Sequence, residues 1–321
     1  MKMYRLSSLL LASLLLMVAA PKASAEFDWD AKYAGDFLTG QSNARLLALG
    51  GAGVAISSGP SAVLGNPARI GVERGQALSL MHADRFESAV KVDHASYVRS
   101  SGDGHAIGFG LVRQGVDDIP VTLLRDRSGG LSPQNRPYAA DWTSASEYAF
   151  LLAYSQEKRY GTIGGAAKLL YKRLHERDGA GLGFDIGYTK QFGRLVFGAQ
   201  LRDAVTTLLT WEGGRQEAIK PTLRTGAAIS IPLERFNAVL TPVFEAEFRT
   251  EELGGDAVFL PHAGLEYGIR DLVFLRAGLD DDRFGYGAGL AIGPIGLDYA
   301  FIGHEDLGAT HRISLAYIWD R

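Results

Sequence analysis

The sequence predicts an all-β protein: a transmembrane antiparallel β-barrel of about fourteen strands, with an N-terminal hatch or plug segment inside the lumen. Three observations lead there. From about residue 76 onward, large apolar residues alternate with Gly, Ala and isolated charges. The connections between these alternating runs are long and short by turns. The only apolar run approaching the length of a membrane helix lies at the extreme N-terminus, so any crossing after it must be made by strands.

Composition narrows the class further. The chain has 321 residues, 46% hydrophobic and 21% charged, with 40 Gly, 11 Pro and no Cys. Without Cys there is no disulfide framework, thiolate metal site or cysteine nucleophile. A formal charge of -3 lacks the basic excess of a nucleic-acid binder, and no nucleic-acid partner is expected. A mean hydropathy of +0.00 is too low for a bundle of membrane helices.

Residues 1–25 read as a signal peptide. Lys2 and Arg5 precede a Leu-rich run from Ser7 to Ala20, and Ala23-Ser24-Ala25 supplies the small-x-small pattern for cleavage before Glu26. The mature chain is therefore expected to be exported.

Residues 76–321 read as the barrel. Candidate strands lie near 76–84, 90–99, 105–114, 147–156, 162–172, 182–191, 194–202, 221–231, 238–248, 261–269, 272–279, 284–292, 295–302 and 311–319. The last shows the pattern well: Ile313, Leu315, Tyr317 and Trp319 alternate with Arg312, Ser314 and Ala316. The first two runs alternate less cleanly. In a soluble sandwich the second face would carry Lys, Glu and Thr in water. Here it carries Gly and Ala with Lys168, Asp185, Arg224, Glu245, Glu247, Glu266, Arg276 and Asp298. Small residues and pairable charges suit a crowded interior, and these eight are expected to form a polar network in the lumen. The aliphatic and aromatic face then meets lipid, where a charge at mid-depth would cost about 2–4 kcal/mol.

Long connections at 115–146, 203–220 and 249–260, with shorter ones at 173–181 and 303–310, fall on one side. Tight turns at Gly102-Asp103-Gly104, Gln191-Phe192-Gly193, Arg270-Asp271 and Gly293-Pro294 fall on the other. This is the outer-membrane pattern of long extracellular loops and short periplasmic turns. Tyr148, Tyr154, Tyr317 and Trp319 are placed as interface girdles would be.

Residues 26–75 do not alternate. Gly50-Gly51 and Asn66-Pro67-Ala68 stand among small and aliphatic residues, which favours a place in the lumen as a hatch. The stretch "ARLLALGGAGVAISSGPSAVLGNPARI" (44–70) resembles the opening of the PorV/PorQ family of FadL-like outer-membrane barrels. Residues 262–319 are similar to that family's C-terminal portion in their Gly-Leu-Glu-Tyr, Leu-Arg-x-Gly, Leu-Asp-Tyr-Ala and His-x-Ile-Ser order. The resemblance implies a fourteen-strand barrel with a hatch. It departs at the end, where Asp320-Arg321 follow Trp319 in place of a terminal aromatic.

Other motifs are weak. Gly51-Ala52-Gly53 lacks the third glycine and the βαβ setting of a dinucleotide loop. Asp280-Asp281-Asp282 reads as a solvated turn, the seven histidines show no metal spacing, and no nucleophile elbow appears. No enzyme activity, metal or cofactor is expected.

Two roles stay open. Resemblance to PorV/PorQ implies a non-catalytic docking or accessory subunit with a protein partner in type IX secretion and surface export. Resemblance to FadL implies uptake of hydrophobic molecules such as long-chain fatty acids. Outer-membrane lipid is the surroundings in either case.

Overall fold

The computed structural model describes residues 27–28, 35–38, 43–250, 257–304 and 308–319. The stretch 1–25, expected to be a signal peptide, lies outside the described residues, as does part of the segment that precedes the barrel.

Fourteen antiparallel strands form the wall: β1 (Gly75–Arg85), β2 (Val90–Ser100), β3 (His105–Leu123), β4 (Tyr138–Lys158), β5 (Gly161–Leu174), β6 (Arg177–Phe192), β7 (Leu195–Arg202), β8 (Thr222–Ile229), β9 (Ala238–Thr250), β10 (Ala257–Ile269), β11 (Val273–Asp280), β12 (Arg283–Ile292), β13 (Ile295–His304) and β14 (Gly308–Trp319). Each pairs with its sequence neighbours, and β14 returns to β1 with Trp319 opposite Gln76 and His311 opposite Asp84. The barrel is therefore closed, leaving no free edge along the ring.

Alternation along each strand sorts the two faces. Phe109, Phe150, Leu152, Tyr286, Leu297, Ile313 and Leu315 are exposed on the outside. Lys168, Asp185, Arg224, Glu245, Glu247, Glu266 and Arg276 are buried on the inside. Such an arrangement is stable only with hydrocarbon outside, so the barrel is transmembrane. Aromatics gather near the end where β14 finishes. The Tyr97 and Trp319 rings lie 6.1 Å apart and the Tyr317 and Trp319 rings 5.5 Å apart.

The weaker alternation of β1 and β2 has a physical reason. Toward the long-loop end their outward positions turn polar, and the charges satisfy one another. His82 Nδ1 lies 2.8 Å from Asp93 Oδ1, and Arg113 Nη1 donates to Asp93 Oδ2 at 3.2 Å.

Two long connections are corrected. Most of 115–146 is strand: β3 and β4 continue their pairing beyond the wall to Leu123 opposite Tyr138, with register shifts after Val116 and Val121. The connection proper is 124–137. There Asp126 accepts from the Ser128 amide (2.9 Å) and hydroxyl (2.6 Å), which hold its carboxyl below the usual range. The 203–220 connection contains the hairpin Thr207–Trp211 and Gln216–Ile219, extending β7 and β8 past a bulge. At that bulge Asp203 and Thr206 adopt left-handed backbone conformations, and the Asp203 side chain turns inward. Phe27–Asp28 pairs in parallel with Gln216–Glu217 on the hairpin's edge.

Candidate functional site

Residues 43–74 build two short helices, α1 (Ala44–Ala48) and α2 (Ala62–Gly65), with one-turn 3₁₀ segments at Gly59–Ser61 and Pro67–Arg69. Asn43 caps α1, its Oδ1 accepting from Leu46 N at 3.0 Å. Helix α1 stops at Gly50 and Gly51, both with positive φ (+67° and +77°). Ala44, Leu46, Leu49, Ala52, Val54, Ala62, Val63, Ala68 and Ile70 are all buried against the inner wall.

The Asn-Pro-Ala motif organises the second half. Asn66 Oδ1 accepts from Ala68 N at 3.1 Å, while Pro67 needs no donor partner at the first position of its turn. The Asn66 amide nitrogen donates to Val54 O (2.8 Å) and to Tyr188 O on β6 (3.2 Å). One side chain thus closes its own turn, ties it to an earlier part of the segment and fastens both to the wall. Arg69 adds Nε to Ser57 O at 2.7 Å and Nη1 to Thr189 Oγ1 at 3.0 Å.

Inward glycines explain how closely main chain meets wall. A Cβ on Gly278 would overlap the Leu49–Gly50 backbone, and one on Gly164 would overlap Pro67–Ala68. The Gly-rich inner face is therefore the seat of this segment.

The eight inward charges form three ion-pair groups rather than one network. Lys168 Nζ lies 2.8 Å from both Asp185 Oδ1 and Asp203 Oδ1. Arg224 pairs with Glu245 through Nη2 and with Glu247 through Nε at 3.3 Å. Arg276 donates to Glu266 at 2.6 Å and to Asp298 at 2.7 Å. The last two groups grip the segment directly. Glu245 Oε2 accepts from Gly53 N and Val54 N, each at 2.7 Å. Arg45 makes a two-point pair with Glu266 at 2.8 and 2.9 Å.

Several participants escaped the sequence reading. Asp203 lay in a stretch read as loop, and only its bulge brings it to Lys168. Arg45 sits in a Leu-rich run that gives no sign of its partner 221 residues away. Arg312 and Ser314 did carry a signal, since both stand at inward parity in the last strand. His262 lies 2.9 Å from Asp280 Oδ1 and 3.0 Å from Gly50 O. Among the described residues no group of His, Asp or Glu is placed to hold a metal ion. Asp280 is instead paired with His262 and with Arg283.

Among solved structures, the toluene transporter TbuX of Ralstonia pickettii superimposes with a TM-score of 0.60 at 14% identity, covering 87% of this chain and 98% of that one. The toluene transporter TodX of P. putida gives 0.60 at 13% identity, over 87% and 99%. The monoaromatic hydrocarbon channel CymD gives 0.60 at 11% identity, over 87% and 98%. This is the FadL-like barrel fold. At these identities the likeness is one of fold. No protein-family model matches the chain, and neither does any curated protein.

Proposed function

We propose that this protein is an outer-membrane channel for small hydrophobic molecules, with residues 43–74 acting as the hatch that gates it. The observation that carries the reading is the shared fold with two toluene transporters across nearly their whole length. The segment's attachment is consistent with gating. It is joined covalently to the wall only through the chain leading into β1, and otherwise by hydrogen bonds, ion pairs and packing. The test is uptake of radiolabelled toluene and of a long-chain fatty acid by cells lacking their own FadL-type channels, with and without this protein. Faster uptake of either supports the reading and names the class. Uptake equal to the empty-vector strain for both, with the folded barrel present in the outer membrane, refutes it.

A docking role in protein export, the implication of the PorV/PorQ resemblance, is favoured by a separate observation. The β3–β4 ribbon beyond the wall exposes Leu131, Tyr138 and Trp142, the last at 60%. Exposed aromatics on a ribbon with two free edges are suited to a protein partner. Co-purification of a stoichiometric outer-membrane protein, lost when residues 120–141 are deleted, would favour this role over transport.

A further inference from the structure

On the outer face, where β1, β2 and β3 run toward the long-loop end, lies an open groove of about 550 Å³. Its floor is Ala95 on β2, a small residue in an outward row of large ones: Leu80 opposes it on β1 and Leu111 on β3. Leu315 of β14 extends the wall beside Leu80. Nearly all the surface of the groove is apolar, and its polar groups gather at one end. There the next outward row holds His82, Asp93 and Arg113, joined by contacts of 2.8 and 3.2 Å. The three strands pair across it without interruption, so it does not open into the lumen.

The height of this cluster sets it apart. Outward residues on β2 run Arg99, Tyr97, Ala95, Asp93, so only Tyr97 and Ala95 separate the charges. At about 3.4 Å per residue and a tilt of about 40°, that stretch rises about 16 Å, short of an apolar band about 25 Å tall. On β6, by contrast, Ala180, Leu182, Phe184, Ile186 and Tyr188 stand between Asp178 and Lys190, a rise of about 30 Å. Arg99 lies opposite Gln76, which itself faces Trp319 of the aromatic girdle. It is therefore the Asp93 end that falls inside the band. A bilayer meets such a polar group by thinning locally and bringing its own headgroups down to it.

We infer that the groove seats one membrane phospholipid with a zwitterionic headgroup, its head at the His82, Asp93 and Arg113 cluster and an acyl chain over Ala95. A polymethylene chain suits the notch, since β1 and β3 stand about 10 Å apart across β2 and Leu80 and Leu111 narrow that gap. The change from apolar to charged along the groove matches the order of parts in a lipid. Signs at the charged end are mixed. Asp84 lies 3.6 Å from His82, Asp93 stands between His82 and Arg113, and Lys91 pairs with Asp117 at 3.4 Å. A phosphate can turn to Arg113 and an ammonium to Asp84, both side chains being partly exposed. A head with phosphate alone would meet these carboxylates with no cation to offer them. The inference goes beyond the transport reading and does not depend on it, because retention of a lipid is measured without any flux.

The test is native mass spectrometry of the full mature chain in a non-ionic detergent, titrated with phosphatidylethanolamine and, in parallel, with phosphatidylglycerol of the same acyl chains. The expected result is one phosphatidylethanolamine retained per barrel, half-saturated at a concentration about tenfold below that for phosphatidylglycerol, the difference of one charge-assisted contact. Arg113→Gln should weaken retention about tenfold for the same reason. Ala95→Trp, which fills the notch, should abolish it. Ala167→Trp, at an outward position on β5 opposite Phe184, should leave it unchanged. Each variant is first checked for the heat-dependent gel shift of a closed barrel, and Ala95→Leu replaces Ala95→Trp if the latter fails. No retained lipid, equal retention of phosphatidylglycerol, retention that survives filling of the notch, or a dimer in place of the lipid adduct overturns the inference.

Discussion

Glu245 is the carboxylate on which the seated segment depends most directly. Its Oε2 receives two main-chain donors, Gly53 N and Val54 N, while its other oxygen faces Arg224. Glu245→Gln keeps the shape and replaces one acceptor oxygen with an NH₂ group. The amide cannot serve both sides: it gives up either the two main-chain donors or the arginine. In either orientation the two main-chain donors lose their charged acceptor; bonds to a charged group contribute about 1.5–3 kcal/mol each against about 0.5–1.5 kcal/mol for neutral ones, so the segment's attachment should weaken by about 2–3 kcal/mol. That is about 30- to 150-fold in the population of the open state. The chain has no cysteine, so a single reporter thiol is unambiguous. Ser57→Cys places it at a fully buried site whose hydroxyl has no hydrogen-bond partner among the described residues. If opening is fast and rare, the labelling rate with a water-soluble maleimide tracks the open population. The rate should rise about 30- to 150-fold when Glu245→Gln is added, in protein that still shows the gel shift of a closed barrel. A rate within threefold of the single variant would refute the claim that Glu245 anchors this segment.

Gly278→Val should raise labelling of the same thiol, because its side chain would occupy the space of the Leu49–Gly50 backbone; Gly296→Ala, whose nearest neighbour would be Ala316 Cβ at 3.8 Å, should not. Lys168→Met leaves Asp185 and Asp203 buried together without their cation, and should lower barrel stability by about 3–5 kcal/mol in urea unfolding from vesicles. Leu152→Arg, in the apolar band, should cost about 2–4 kcal/mol in the same assay, whereas Leu131→Arg, in the connection beyond the wall, should cost under about 0.5 kcal/mol.

Most of the wall was legible because a period of two is a local property and needs no knowledge of partners. Ile313, Leu315 and Tyr317 declare their face within one strand. The errors occur where that locality fails. The ribbon beyond the wall, around 116–123 and 138–145, has solvent on both sides, so its residues have no reason to alternate, and the sequence alone gives no strand signal there. The polar outward positions His82, Asp84 and Asp93 blurred β1 and β2 for a related reason: their charges are satisfied by one another and by Arg113, a pairing between strands that no single run contains. The site was legible in its residue types and not in its pairings. Lys168 and Asp185 could be named as inward charges, but their third member, Asp203, depends on a bulge in β7. Asn66-Pro67-Ala68 stood out as a motif, while the role of Asn66 as a tie between its own turn, Val54 and Tyr188 is a tertiary fact.

The segment's place in the chain bears on how the molecule is made. Residues 43–74 are synthesised before any strand of the wall, yet their partners are spread over the rest of the chain: Ala44 N donates to Ser314 Oγ, 270 residues later. Contacts of such separation form late, because the intervening loop entropy must first be overcome. The seat for α1 is lined by β11 to β14, the last strands to appear, so α1 has no surface to pack against until the sheet is nearly complete. A helix of five residues has no independent stability in water. Until the wall closes, this stretch therefore lacks the surface that structures it, and its apolar side chains are without the partners they have in the finished barrel.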